Sequence, residues 1–376
     1  MKYLFASLFF VIELMCATAF AHKPSDSYLT ITGGEEYLTI EWDIALKDLE
    51  FLIGLDENQN GEITWGEVKA RRKAVTAHAL SRLQISHRGY DCQLKLLDVL
   101  ATRHSDGGYV VLSLSTDCPG DAAELTIHYN LLFDVDPTHR GLVHYTNGEI
   151  DSTYVLSPES PLLELKTGEV NRWNSFVAYV EEGIWHIWIG YDHILFLLTL
   201  LIPAVLIRRD HQWQPVESFR PAWTSVLKIV TMFTIAHSLT LWLAVMEYVT
   251  LPGWIVEAAI AFSIIVTALN NLFPVLHLSG WAIAFGFGLI HGFGFANVLI
   301  DLGLSSVSLG IALLGFNVGV ELGQLAIVAV FLPLAYLMRS TTFYRWAILR
   351  CGSILVAVIA AIWMYERIFN ATIVGL

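Results

Sequence analysis

The chain changes its pattern of apolar and polar positions part-way along. From Tyr28 to about Glu164 apolar residues alternate with polar ones or form short runs, as in Tyr28-Leu-Thr-Ile-Thr, Tyr37-Leu-Thr-Ile-Glu-Trp, Tyr109-Val-Val-Leu-Ser-Leu and Leu125-Thr-Ile-His-Tyr. That is the period of strands packed on one face. Gly33-Gly34, Gly107-Gly108 and Pro119-Gly120 punctuate them as turns, and a compact β-sandwich is expected. Helical sequence interrupts it at Leu46–Leu55 and Trp65–Leu83. Later the alternation gives way to six long apolar runs, at about 185–207, 224–248, 254–273, 281–300, 308–338 and 346–366. Each is near the ~20 residues that carry a helix across a bilayer. Between the two regions, Asn171–Gly183 places Trp173, Phe176, Tyr179 and Val180 as an amphipathic segment suited to the interface.

The expected architecture is therefore multidomain: a mainly-β exported domain with an EF-hand-like insert, followed by an all-α six-helix transmembrane bundle. Residues 1–21 read as a signal peptide, with Lys2, an apolar stretch and Ala19-Phe20-Ala21 as the cleavage site. The exported domain then spans 22–165, the interfacial helix 166–184 and the membrane domain 185–376.

Charge supports this division. The chain is 55% hydrophobic, 15% charged and carries a net charge of −13. Residues 22–183 hold 26 Asp and Glu against 13 Lys and Arg, so the whole excess lies in the exported part. Such an acidic surface excludes nucleic acid as a partner and either concentrates cations near a membrane or simply keeps the domain soluble. Arg208, Arg209 and Arg220, before Lys228, fall in one set of loops with Arg339, Arg345 and Arg350, while 247–253 and 301–307 have no Lys or Arg. The positive-inside rule then puts the N-terminal domain and the C-terminus outside, on the periplasmic side of a bacterial inner membrane. In that oxidising compartment Cys92 and Cys118 are expected to pair.

Three groups of residues carry possible chemistry. The segment from Asp56 to Glu67 fits a 12-residue EF-hand loop, with Asp56, Asn58, Asn60, Thr64 and Glu67 offering side-chain oxygens, Glu62 its carbonyl and Gly61 the sharp turn. With two charged ligands, calcium would bind weakly and staple the domain; the alternative is an Asx-rich turn without metal. Asp134, Asp136, His139, Arg140 and His144 form a second cluster, read as a turn in which Asp caps amides and Arg140 pairs with a carboxylate, or else as a transition-metal site. His22 at the new N-terminus offers a further chelating pair.

The third group lies in the apolar runs: His186, Asp192, His193, His237, Glu257, His291 and Glu321, supported by Asn317 and Gln324. Ionisable groups in hydrocarbon are costly, so they face the bundle interior and mark a site or pathway. His186 and His193 are seven apart, two turns on nearly one face of a helix. His193 and Glu257 read as lying in the outer thirds of their helices, and His237, His291 and Glu321 near mid-span. Imidazoles with carboxylates suit a divalent Ni, Co or Zn ion. The structural alternative is that these groups only hydrogen-bond neighbouring helices. Gly288/Gly292 and Gly315/Gly319/Gly323 are stripes along which helices can approach closely.

The sequence resembles the HupE/UreJ family, in the branch with a large exported domain. The resemblance is carried by Ala21-His-Lys-Pro-Ser-Asp-Ser-Tyr28, the loop at Asp56, Leu132-Phe-Asp-Val-Asp-Pro-Thr-His-Arg140, His186-Ile-Trp-Ile-Gly-Tyr-Asp192-His193, Phe233-Thr-Ile-Ala-His237-Ser, Gly288-Leu-Ile-His291-Gly-Phe-Gly-Phe and Gly315-Phe-Asn-Val-Gly-Val-Glu321-Leu-Gly-Gln324. It implies nickel or cobalt handling, as permease or beside a hydrogenase or urease maturation system, with His186, Asp192, His193 and His291 as site residues. Ile187 stands where the permease branch has proline, and no acid closely follows His291-Gly, so Glu257 or Glu321 would supply the carboxylate. The readings carried forward are a divalent-metal permease or metal-handling protein, an intramembrane metal-dependent hydrolase, and a membrane-anchored metal-delivery or accessory protein.

Overall fold

The structure is a computed structural model. It describes residues 26–373 apart from 35–36, 105–106, 119–124, 148–149, 166–171, 210–211, 274–275, 277, 297–299, 301–305, 370 and 372. The signal peptide, His22 and the Pro119-Gly120 turn lie outside the described residues.

The N-terminal region is mainly β. Its strands are β1 (Asp26–Gly33), β2 (Leu38–Ala45), β3 (Leu83–His87), β4 (Tyr90–Asp91), β5 (Leu94–His104), β6 (Gly107–Thr116), β7 (Leu125–Tyr129), β8 (Arg140–Asn147), β9 (Ile150–Leu156) and β10 (Leu162–Leu165). They form a six-stranded sheet in the order β5-β6-β2-β1-β8-β9 and a four-stranded sheet in the order β10-β7-β3-β4. β1 pairs parallel with β8, and β1 with β2 antiparallel. The alternation does what its period demands: Leu38, Ile40, Trp42 and Ile44 of β2 are fully buried while Thr39 and Glu41 point outward. Leu29, Ile31, Trp42, Ile85, Ile127 and Tyr129 meet in one core between the sheets. Cys92 and Cys118 are joined by a disulfide.

A polar thread crosses this core. The Tyr129 hydroxyl lies 2.5 Å from Ser27 Oγ and 2.7 Å from His139 Nε2, and burial pushes that phenol well above its ordinary pKa. His139 is thereby fully buried as a partner of the core tyrosine. Asp136 accepts bonds from the Thr138 amide and hydroxyl, and Asp134 pairs with Arg82 at 2.8 Å.

Helices α1 (Leu46–Ile53), α2 (Trp65–Ala70) and α3 (Arg72–Leu80) surround the polar loop. The second flanking helix, expected unbroken from Trp65 to Leu83, instead breaks at Arg71, which pairs with Glu57 across the loop at 3.0 Å.

The C-terminal region is helical: α4 (Arg172–Ile189), α5 (Tyr191–Leu201), α6 (Phe219–Val245), α7 (Gly253–Leu272), α8 (Gly280–His291), α9 (Ser306–Met338) and α10 (Ser353–Phe369), the last preceded by a π-helical segment at Tyr344–Gly352. A short hairpin of β11 (Leu206–Arg209) and β12 (Gln212–Pro215) links α5 to α6. Four helices have the length and hydropathy to cross a bilayer, and the α4/α5 pair, bent by 72°, would be a fifth.

Two expectations change here. The run at 281–300 does not form one long helix; α8 has 12 residues and ends at His291, too short at about 18 Å to span hydrocarbon alone. The interfacial helix expected to end at 184 continues to Ile189, and it packs on α9 because glycines remove the side chains between them. A Cβ on Gly183 would lie 2.1 Å from Phe316 O, and one on Gly319 would lie 2.1 Å from Val180 O.

Part of the six-stranded sheet is covered on both faces. Tyr28, Ala45, Tyr109 and Leu142, on the face away from the four-stranded sheet, join Tyr179, Ile187, Leu241, Leu313 and Phe316 in a second core. Arg140 of β8 also pairs with Glu182 of α4 at 3.4 Å, the carboxylate partner expected for this arginine. The β region thus sits on one end of the helical region, and the β11–β12 hairpin, joining the opposite ends of α5 and α6, lies at the other.

Candidate metal centre

The bend between α4 and α5 builds the site. Gly190 separates the helices with φ −69° and ψ 91°, values open to any residue, so its need for glycine is one of space. A Cβ there would stand 2.7 Å from His186 O, 2.8 Å from His193 Nδ1 and 3.0 Å from Asp192 Oδ1. In an unbroken helix seven residues would separate His186 and His193 by about 10 Å along the axis. The bend brings their ring centroids to 4.6 Å instead. The shared helix face read from the sequence is therefore corrected: the histidines meet because the helix breaks.

His237 of α6 completes a triplet, with one ring nitrogen from each of His186, His193 and His237 lying within 4.8 Å of the others. Three nitrogens tetrahedrally bound to one zinc-like ion would be about 3.4 Å apart, so small side-chain rotations suffice. His291, at the end of α8, lies alongside, its ring 5.1 Å from that of His193. The four rings, read from the sequence as lying at different depths, stand together in one cluster.

Hydrogen bonds fix which nitrogen three of the rings present. His193 Nδ1 is 2.9 Å from Asp192 Oδ1, whose carboxylate can only accept. His237 Nδ1 faces Asn317 Oδ1 at 3.2 Å, and the Asn317 amide is oriented by donating to Leu313 O at 2.8 Å. His291 Nε2 is 3.1 Å from Ser263 Oγ, which gives its own hydrogen to Ile260 O. Each of these nitrogens therefore donates. The others, Nε2 of His193 and His237 and Nδ1 of His291, carry lone pairs. These three atoms and His186 Nε2 are buried with no hydrogen-bond partner among the described residues. Unpaired buried lone pairs are costly, and an imidazole held on one nitrogen with the other free is the arrangement of a metal-ligating histidine and its outer-shell partner. The donor set fits a divalent transition metal.

The surroundings are aromatic. Phe295 and Phe316 stack at 4.0 Å on the His186 side, and Phe196 and Phe233 pack against His291. The remaining sequence candidates stand elsewhere. Glu257 forms an ion pair with Arg367 at 3.0 Å, and Glu321 accepts from Thr231 at 2.9 Å; the acid beside the histidines is Asp192. Gln324 is buried with Oε1 unpartnered among the described residues. Sequence reasoning missed Ser263 and Gly190. Neither residue type announces a site, though a glycine between two histidines in an apolar run was a signal for a break.

In the polar loop, Asp56 accepts from the Gly61 amide at 2.8 Å, Asn60 from the Glu62 amide at 2.8 Å, and Glu67 from the Thr64 amide at 2.8 Å and hydroxyl at 2.7 Å. Gly61 has φ +80°, in the left-handed region that favours glycine. The bonds from Thr64, its backbone first, hold the Glu67 carboxyl below the usual carboxylate range.

No curated protein matches the chain. A family model described as HupE / UreJ protein matches residues 163–367, more than half of its length and all four histidines. With several helices apolar and long enough to cross a bilayer, the protein is a multi-pass membrane protein, and it belongs to the HupE / UreJ family.

Proposed function

We propose that this protein is a permease or metal-handling membrane protein for a divalent transition metal, with nickel or cobalt as the cargo. The family is associated with nickel and cobalt transport or with hydrogenase and urease accessory roles. The observation that carries the reading is the set of buried imidazole nitrogens left without partners at the α4/α5 bend. His186, His193 and His237 would ligate the ion, His291 would add a fourth nitrogen, and Asp192, Asn317 and Ser263 would hold the rings in the binding tautomer. Neutral imidazoles suit nickel, cobalt and zinc better than hard cations. A hydrolytic reading has less support, because it needs a carboxylate free to act on water and Asp192 is committed to His193.

In this reading the chain crosses a bacterial inner membrane six times, the α4/α5 pair and the apolar run at 281–300 that opens with α8 each serving as one crossing, with the β region and the C-terminus on the periplasmic side. Cells producing the protein should accumulate radioactive nickel or cobalt several-fold above cells lacking it. Equal accumulation would rule out import.

The loop from Asp56 to Glu67 is proposed to bind calcium through Asp56, Asn58, Asn60, Glu62, Thr64 and Glu67, stapling α1 to α2. Because the Glu67 pKa is lowered, this ligand stays ionised as the pH falls to the ordinary carboxylate range. Millimolar calcium should raise the melting temperature of the protein, and Glu67→Gln should remove most of that rise. An unchanged calcium shift in the variant would exclude the site.

A further inference from the structure

A row of buried polar groups leaves the histidines toward the end of the helices opposite the β region. On α7, Ser263, Thr267 and Asn271 recur every fourth residue and are 0%, 3% and 4% exposed. At 1.5 Å per residue they stand about 6 Å apart along the axis. The row starts on the site, with Ser263 Oγ against His291 Nε2. It continues between helices: Thr199 Oγ1 of α5 lies 2.9 Å from Thr267 Oγ1, its hydrogen shared with Phe196 O at 2.6 Å, and Asn271 Nδ2 reaches Thr199 O at 2.8 Å and Ser353 Oγ of α10 at 3.3 Å. It ends where Trp213 of the β11–β12 hairpin donates to Asn271 O at 3.3 Å.

Buried Ser and Thr in membrane helices commonly just return their hydrogen to their own backbone. Thr234 of α6 does so, with Val230 O as its partner. The α7 row differs in two respects. Its members bond across three helices, and it begins on an imidazole of the site. Ser263 and Thr267 also give hydrogens to backbone carbonyls, Ser263 to Ile260 O at 2.7 Å and Thr267 to Ser263 O at 2.9 Å. Their oxygens are thereby left as acceptors, Ser263 Oγ facing the His291 ring and Thr267 Oγ1 facing Thr199 of α5. Neutral oxygens spaced along a seam hold a cation more weakly than imidazoles do, which is what release from a tight site requires.

We propose that this seam is the route by which the metal ion leaves the histidine cluster toward the end of the protein away from the β region, with the Thr267 hydroxyl as its middle rung. The inference rests on the transport reading above. The test uses the full chain reconstituted into liposomes, with nickel uptake and equilibrium nickel binding measured on the same preparations. Thr267→Val keeps the side-chain shape and removes the hydroxyl. It should bind nickel with wild-type stoichiometry and affinity yet take it up at least tenfold more slowly, while Thr267→Ser should restore uptake and Thr234→Val should match wild type. Thr199→Val, on the facing helix, should repeat the defect and serves if Thr267→Val does not insert. Uptake within twofold of wild type in the Thr267 and Thr199 valine variants overturns the route and leaves the transport reading standing. Loss of binding together with uptake also overturns it, because Thr267 would then belong to the binding site. A wild-type protein that binds nickel but never moves it would overturn the transport reading and the route with it.

Discussion

Gly319→Ala should strongly destabilise the detergent-solubilised protein, whereas Gly310→Ala on the same helix should leave it as stable or slightly more so. The two glycines differ only in what stands opposite. A Cβ at Gly319 would meet Val180 O at 2.1 Å and Gly183 Cα at 2.9 Å, both backbone atoms of α4 that no rotamer change can clear. At Gly310 nothing lies within 4 Å. Overpacking of this kind sits at the upper end of its usual cost, about 3 kcal/mol, while relieving an exposed helix of a glycine gains up to about 1 kcal/mol. Gly183→Ala should act like Gly319→Ala, and the double variant should cost less than the sum, because both changes force apart the same pair of helices. The consequence reaches the site: His186 follows Gly183 by three residues, and Asn317 precedes Gly319 by two. Melting temperatures of the four variants decide the matter, and a wild-type value for Gly319→Ala would contradict the close packing of α4 on α9.

Much of this organisation was legible in the sequence, and what was not had definite physical causes. The β region announced itself because each strand has one face on the core, so the alternation of β2 and β7 survives in the residues. β8 was harder to read: the strand itself is covered on both faces, and Gly141, Leu142 and Val143 are all buried, which erases the period. The glycine stripes were correctly placed on close helix contacts. The helix-wheel argument for His186 and His193 failed for a different reason, since it presumes a continuous helix and the break at Gly190 is a tertiary fact. Glu257 and Glu321 looked like site residues because an acid in an apolar run has to be explained. Their partners, Arg367 and Thr231, are distant in sequence, and sequence position alone could not reveal those pairings. Ser263 was invisible for the converse reason: a serine in a membrane helix is ordinary, and its role depends on facing His291.

The central claim, that the clustered histidines hold a divalent transition metal, is tested most directly by the nickel affinity of the purified protein with and without His193. This residue stands at the middle of the cluster, its ring against both His186 and His291, and it has a carboxylate to fix its tautomer. Removing one imidazole from such a site weakens metal binding steeply, and disturbing the outer partner alone costs about 10- to 100-fold. His193→Ala should therefore lower nickel affinity at least 100-fold, with Asp192→Asn producing a smaller loss in the same direction. Expression and membrane insertion should stay near wild type, because the truncated ring leaves the helix-packing glycines untouched, and His211→Ala should bind as wild type does. Equilibrium dialysis with radioactive nickel should give one tightly bound ion per wild-type chain and none per His193→Ala chain at the same free concentration. Equal nickel content in the two proteins would show that these histidines are packing groups, and the proposed metal site would be lost.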